Sequence, residues 1–522
     1  MQNNFIENMQ NALRQLDPNV SVTENGATGY RTTGNALLDL NFSLSSMRNW
    51  PEDRIWKGFL KAYNENPALS VVWLFFARDI RGGCGERRMF RVILPELSFE
   101  NPDLVIRLLP LISEYGRWDD LLELCCGHVP CRVRDAAFDV FKQQLDADIR
   151  NAKDGKPISL LAKWVYSGVT SSVKTRRKAE ILRSRLGYTP RKYRKTFADL
   201  RRYLDITEQK MSSNEWGEIN YSAVPSKAGV NYRGAFMRHD GGRYNEYLSD
   251  VRSGKESMNA SAVFPYEIVH AYMNNGYYQT EVGDYDETLE LKWANLPDVG
   301  AGSNTLVVVD GSGSMGSRVG QTGITCHDVA RSIGIYFAEH MAGPFRNRFI
   351  TFSAKPKLVG FDGAKTLKSK LEILVDEDDC SNTNIEKTFD LILETAVMHH
   401  LRQEDLPENI LIVSDMEFDS VSHYYDWEEG RSYEVDQTLF DAIADRWNVA
   451  GYKLPRLVFW NVCSRTGTIP VIQNDFGVAL VSGFSPNIFD MVMSGELDPW
   501  KCLADKLMSD RYEPVRKVVM PS

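Results

Sequence analysis

The run DGSGSMG begins at Asp310 and directly follows the apolar stretch Thr305–Val309. Its residues support two chemistries. Read as G-x-G-x-x-G, it is a glycine loop able to cradle a dinucleotide pyrophosphate. Read as D-x-S-x-S, it supplies three oxygen ligands, Asp310, Ser312 and Ser314, for a hard divalent cation such as Mg²⁺, Mn²⁺ or Ca²⁺. A dinucleotide site also wants a carboxylate at the end of the second strand, to hold a ribose hydroxyl. Here the second expected strand, RFITFS, runs into Ser353-Ala354-Lys355, and Asp310 would set a negative charge beside the pyrophosphate. The cation reading accounts for more residues. Gly311 and Gly313 let the turn bend so that alternate oxygens point inward. Two further oxygens stand in the expected order downstream: Thr383 in CSNTNIE, ahead of a helix, and Asp415 in ILIVSDMEF, at a strand end.

The elements around these residues predict how they would be positioned. TLVVVD, RNRFITFS, NILIVSD, RLVFWNV and VALVSG read as buried strands. CHDVARSIGIYFAEHM and NIEKTFDLILETAVMHHL read as helices between them. Apolar strands without polar alternation, separated by helices, predict a parallel sheet covered on both faces. Ligands of such sheets sit at the carboxyl ends of the strands, where Asp310 and Asp415 fall. Residues 1–299 read as helices instead. Ile55, Phe59 and Tyr63 recur at four-residue spacing, Pro110 interrupts a second apolar segment, and Ala137, Phe138, Phe141 and Leu145 share one helical face. The polar boundary NLPDVGAGSN separates the halves. The expected architecture is therefore a helical-repeat domain (residues 1–299, HEAT-like, ring or solenoid) followed by a doubly wound α/β domain (residues 300–522).

Charge is divided unevenly along the chain. The 522 residues carry a net −9, yet from Gly300 onward there are 21 Lys+Arg against 32 Asp+Glu, so the first half is close to neutral. Within that half, Lys174–Tyr203 holds 12 Lys/Arg against only Glu180 and Asp199. Thr189-Pro190 reads as a helix start, with Tyr193, Phe197, Leu200 and Leu204 as its apolar face. Arg191, Lys192, Arg194, Lys195, Arg201 and Arg202 fall on this helix. Lys174, Arg176, Arg177, Lys178, Arg183 and Arg185 fall on the one before it, anchored by Ile181, Leu182 and Leu186. Like charges at this density repel unless phosphates or an acidic surface use them.

Other features point to the class of protein. The longest apolar run, Ala68–Ala77, is half the length needed to cross a bilayer. The N-terminal stretch MQNNFIENMQNALRQL is amphipathic and carries an acid, unlike a signal peptide. Eight scattered cysteines suit a reducing compartment, and a cytoplasmic monomer is expected. Cys125, Cys126, His128 and Cys131 lack the second ligand pair of a structural zinc site and read as core and turn residues. His327, His399 and His400 lie on expected helices with no nucleophile triad around them. The acidic, aromatic insertion Glu417–Gln437 is expected near the metal face.

The ordered set Asp310, Ser312, Ser314, Thr383 and Asp415 resembles the metal-ion-dependent adhesion site of von Willebrand factor A domains. That resemblance implies all five around a Mg²⁺ or Mn²⁺, with a partner's carboxylate often completing the sphere. The segment from Val224-Pro225-Ser226 through Lys227, Arg233, Arg238, His239 and Arg243 resembles part of Ro-type RNA-binding proteins, in which a helical TROVE module precedes an A domain. Together with NALLDLNF and FFARDIRGGCGERRMF, it is similar to an uncharacterised family of cellular and viral proteins with the same layout. The resemblance implies a non-catalytic scaffold or chaperone for structured or single-stranded RNA. Lys227, Arg233 and His239 would join the basic helices in holding RNA, and a nuclease or other protein could dock through the metal site. Two other classes stay open on the residues alone. One is a protein-interaction adaptor gripping an acidic partner through the metal. The other is a metal-dependent phosphodiesterase, for which only one metal's ligands are visible.

Overall fold

The computed structural model describes residues 19–275, 280–297, 304–320, 322–352, 355–377, 385–418, 424–426, 431–433, 439–470, 478–485 and 498–520. The amphipathic stretch 1–16, Thr383 and most of the 417–437 insertion lie outside them. The chain forms two compact units: Glu52–Ala262 with Leu507–Ser522, and Val263–Lys506 with the segment ending at Pro51. This division differs from the boundary expected at Gly300. The α/β unit takes in residues on both sides of the helical one, and the last residues of the chain belong with the helices.

The helical unit contains α1 (Glu52–Glu65), α2 (Pro67–Arg78), α3 (Arg87–Glu100), α4 (Trp118–Cys126), α5 (Cys131–Lys153), α6 (Val173–Arg185), α7 (Pro190–Tyr203) and α8 (Ser226–Arg252). Neighbours in sequence pack on one another, α1 on α2, α2 on α3 and α4 on α5. Asn66 caps α2 by accepting from Leu69 N at 3.0 Å, and Pro67 takes its first position. Every residue of α2 from Ser70 to Arg78 is buried, as expected of a helix apolar all round. Ile55 and Phe59 of α1 are buried, as are Ala137, Phe138, Phe141 and Leu145 of α5. Pro110 sits in a short 3₁₀ segment, Leu109–Leu111, that ends the helix before it.

The turn after α2 requires glycine at position 83. A Cβ there would stand 2.0 Å from the Phe76 carbonyl oxygen. Asp79 opens this turn, fully buried, and is met by the end of the chain. Arg511 donates to its two carboxylate oxygens at 2.9 and 3.1 Å, and the Tyr512 hydroxyl donates at 3.3 Å. Tyr512 is itself fully buried against Phe76 and Tyr115. Leu507–Ser522 thus belongs to the helical unit because its arginine neutralises a buried carboxylate there.

The α/β unit contains β1 (Val20–Val22), β2 (Thr28–Tyr30), β3 (Met273–Asn275), β4 (Thr280–Val282), β5 (Thr305–Asp310), β6 (Arg348–Phe352), β7 (Leu358–Gly360), β8 (Asn409–Ser414), β9 (Tyr424–Asp426), β10 (Arg431–Tyr433), β11 (Arg456–Asn461) and β12 (Val478–Ser482). Six of them form one sheet in the order β12-β11-β8-β5-β6-β7, parallel except for the edge strand β7. All five long strands expected from the sequence are in it, and every residue of β5 is buried. Helix α9 (Cys326–His340) follows β5 and lies close on it. A Cβ on Gly334 would come within 2.5 Å of Val309 Cγ2, so this residue must be glycine for the helix to approach. The N-terminal segment also belongs to this unit. Asn35 caps the helix Ala36–Phe42, and Asn461 at the end of β11 donates to the Phe42 carbonyl at 2.9 Å. Tyr30 bridges to Ile469.

Candidate metal centre and nucleic-acid interface

The chain runs from β5 outward to β6 and then returns to place β8 on the other side of β5. That reversal is the switch point at which open α/β sheets bind ligands. Val309 pairs with Val413, so Asp310 and Asp415 leave neighbouring strands at the same edge. Both side chains are buried, at 1% exposure each, and Ser312 is at 2%. Ser414 Oγ donates to Asp310 Oδ2 at 2.6 Å, and the Ser312 amide donates to Asp310 Oδ1 at 2.9 Å. The Ser312 and Ser314 hydroxyls lie 2.9 Å apart, and Ser314 hydrogen-bonds Asp415. Four of the five residues expected to ligate a cation therefore converge. The fifth, Thr383, lies outside the described residues.

The electrostatics of this cluster fit a cation. Burial first, and then the nearby charge of Asp310, push the Asp415 carboxyl up to about 7. Arg465 offsets this only in part, with Nη2 3.6 Å from Asp415 Oδ2 and 2.5 Å from Glu24. Two buried carboxylates beside neutral hydroxyls form a hard oxygen donor set short of positive charge, which is what Mg²⁺ or Mn²⁺ supplies. Bound there, the ion would be held by Asp310, Ser312, Ser314 and Asp415.

Several residues that hold the site gave no signal in the sequence. Met416 adopts a left-handed φ of 63°, with its amide donating to Ser414 Oγ at 3.0 Å. The turn brings the Glu417 amide to 3.3 Å from Asp415 Oδ1. Glu417, fully buried, then gathers the surrounding loops. Its Oε1 accepts from the amides of Arg465 and Thr466 at 2.7 and 2.9 Å, and its Oε2 accepts from the Glu24 amide at 2.8 Å. His327, on the first turn of α9, hydrogen-bonds the backbone of Gly311 and Ser312. Burial, then Arg331, holds its ring down to about 3 and hence neutral. It is thus a packed residue bracing the loop, whereas His399 and His400 are exposed at the end of the helix Ile385–Met398. Among the described residues no group of three His, Cys, Asp or Glu could hold a metal. Cys125 is buried, Cys131 is exposed, and His128 stacks near Phe99.

In the helical unit, α6 and α7 form as expected. Thr189 caps α7 by accepting from Lys192 N at 3.2 Å, and Tyr193, Phe197 and Leu200 are buried. The structure divides the basic residues into two sets. Lys178 pairs with Glu123, Arg183 with Glu180, and Arg202 with Asp199. Arg185 pairs with Asp135 and lies over the Phe138 ring. Arg201 donates to the Ala162 and Val165 carbonyls, both at 2.8 Å, and Arg176 donates to the Thr170 and Ser171 carbonyls. These six serve the fold. Lys174, Arg177, Arg191, Arg194 and Lys195 are exposed and have no hydrogen bond or ion pair among the described residues, and Lys192 lies over the Tyr188 ring. A groove of about 760 Å³ runs between α6 and α7, bordered by Arg177 and Arg194 and by the exposed Val169 and Val173. Lys227, Arg233 and His239 lie on α8 and do not line this groove. Arg233 donates to the Val230 carbonyl at 2.8 Å, and His239 stacks on Trp216 with ring centres 4.3 Å apart.

Comparison with known proteins places these features in a lineage. Residues 167–299 match one domain of unknown function, DUF2828, and residues 304–513 match a second, DUF7788. The Ro (RSR) protein of Deinococcus radiodurans overlays with a TM-score of 0.35 and 14% identity, over 82% of this chain and 99% of that one, a likeness too slight to bear on function. The uncharacterized protein L728 of Acanthamoeba polyphaga mimivirus is 30% identical over 514 residues, spanning 92% of this chain and 85% of its own. The chain belongs to the same family as that viral protein.

Proposed function

We propose that the protein is a non-catalytic, Ro-like scaffold for RNA, cytoplasmic and monomeric, with a Mg²⁺ or Mn²⁺ site in its α/β unit for a protein or RNA contact. The observation that carries the reading is the exposed set Lys174, Arg177, Arg191, Arg194 and Lys195 on α6 and α7, unpaired among the described residues, of which Arg177 and Arg194 border the groove between these helices. A fold that spends six of twelve neighbouring cations internally and leaves the others in water has built a surface for a polyanion. The exposed valines beside the arginines suit unpaired bases, and guanidinium planes stack on such bases. The helical unit, read as a solenoid or ring of repeats, would present this surface along the strand.

The test is RNA binding across a salt series with Arg191, Arg194 and Lys195 reversed to Glu. Loss of binding is expected, and unchanged affinity rules the surface out. A second reading draws on the metal cluster, whose cation could grip an acidic protein partner with no RNA involved. The ratio of absorbance at 260 and 280 nm of the purified protein separates the two, because bound RNA raises it.

A further inference from the structure

Cys326 and Cys463 lie far apart in the chain and meet beside the candidate metal centre. Cys326 is the first residue of α9 and Cys463 follows β11, with exposures of 1% and 4%. The Cys326 thiol donates a hydrogen bond to Cys463, and Asn49 Nδ2 donates to the same sulfur at 3.3 Å. Both cysteines stand on backbone tied to the ligand loops. The Cys326 amide donates to the Ser317 carbonyl at 3.0 Å, just beyond the 310–314 turn. The Val462 amide donates to the Ser414 carbonyl at 3.0 Å, next to Asp415. The two sulfurs stand within hydrogen-bond reach, and a disulfide of about 2.05 Å needs only a small closing movement from there.

We infer that Cys326 and Cys463 are a reversible thiol–disulfide pair whose closure distorts the neighbouring divalent-cation site. The oxidant is a low-molecular-weight disulfide. The Cys463 thiolate attacks one of its sulfurs and releases one thiol. Cys326, losing its proton, then displaces the second thiol from the mixed disulfide. Two protein thiols are oxidised to one disulfide and the small disulfide is reduced to two thiols. Closing the pair draws residues 326 and 462–463 together and so shifts the turn after Ser314 against the end of β8. A near-octahedral Mg²⁺ or Mn²⁺ site tolerates such a shift poorly. The cation part of this inference rests on the metal reading above; the disulfide does not.

Full-length protein is treated with oxidised glutathione, alkylated, and analysed by intact mass and peptide mapping, in parallel with C326S and C463S. Mn²⁺ binding is then measured on reduced and oxidised protein by calorimetry. A linked Cys326–Cys463 peptide about 2 Da lighter than the sum of its two reduced peptides, absent in both variants and reversed by dithiothreitol, is expected, with Mn²⁺ affinity about tenfold weaker. Both cysteines remaining alkylatable after the exposed Cys131 has reacted would overturn the pair. A disulfide that leaves Mn²⁺ affinity unchanged overturns the coupling. A disulfide in a protein whose reduced form binds no Mn²⁺ upholds the pair and refutes the metal reading instead.

Discussion

Neutralising the basic face of α7 tests the RNA reading most directly, because the structure separates binding from folding there. Arg191, Arg194 and Lys195 are exposed and make no hydrogen bond or ion pair among the described residues. Replacing all three by Gln removes no structural contact, and relief of crowding among like charges favours the fold slightly. Six cations are available to phosphates on α6 and α7: Lys174, Arg177, Arg191, Lys192, Arg194 and Lys195. If each releases a counterion from single-stranded RNA, the slope of log affinity against log salt is about −4, and about −2 in the triple variant. Raising salt from about 50 to about 200 mM then weakens the wild type about 300-fold and the variant about 20-fold. Fluorescence anisotropy with a labelled single-stranded RNA across that range reads both slopes, and circular dichroism confirms an unchanged melting temperature. Equal slopes in the two proteins would refute the assignment, since a surface that touches phosphates must lose counterion release with its charges.

Three further outcomes are expected. Arg201→Ala, which strips the Ala162 and Val165 carbonyls of their donor, should lower stability by about 2 kcal/mol in urea melts while leaving the salt slope untouched. The metal-free protein should lose stability as pH rises from about 4 to about 7. In that window the folded state keeps the Asp415 proton that the unfolded chain has released, at most about 1.4 kcal/mol per pH unit. Asp415→Asn should flatten that profile and saturating Mn²⁺ should reverse it; a melting series at several pH values reads both. Arg511→Ala should cost the helical unit about 3–5 kcal/mol, because it leaves the fully buried Asp79 without its cation. A melting temperature within a degree of wild type would contradict that assignment of the C-terminal residues.

Much of the local structure was legible in the sequence. The strand–helix rhythm after Thr305, the Thr189-Pro190 helix start, the apolar faces of α1, α5 and α7, and the D-x-S-x-S turn all follow from composition and period within a few residues. Those signals are short-range, so a linear reading captures them. The candidate ligands could be named, but their convergence depends on β8 returning to the far side of β5, which puts Ser414 beside Asp310 across 104 positions. No local pattern encodes that choice. Tertiary structure also decided that Lys178, Arg185 and Arg201 serve the fold, since their partners Glu123, Asp135 and the Ala162 and Val165 carbonyls come from other segments of the chain. It made Glu417 the hub of three loops, set Cys326 against Cys463, and sent the end of the chain to Asp79 across 432 positions. In each case a buried polar group must find its partner wherever packing supplies one, and packing, unlike helical period, takes no account of distance along the chain.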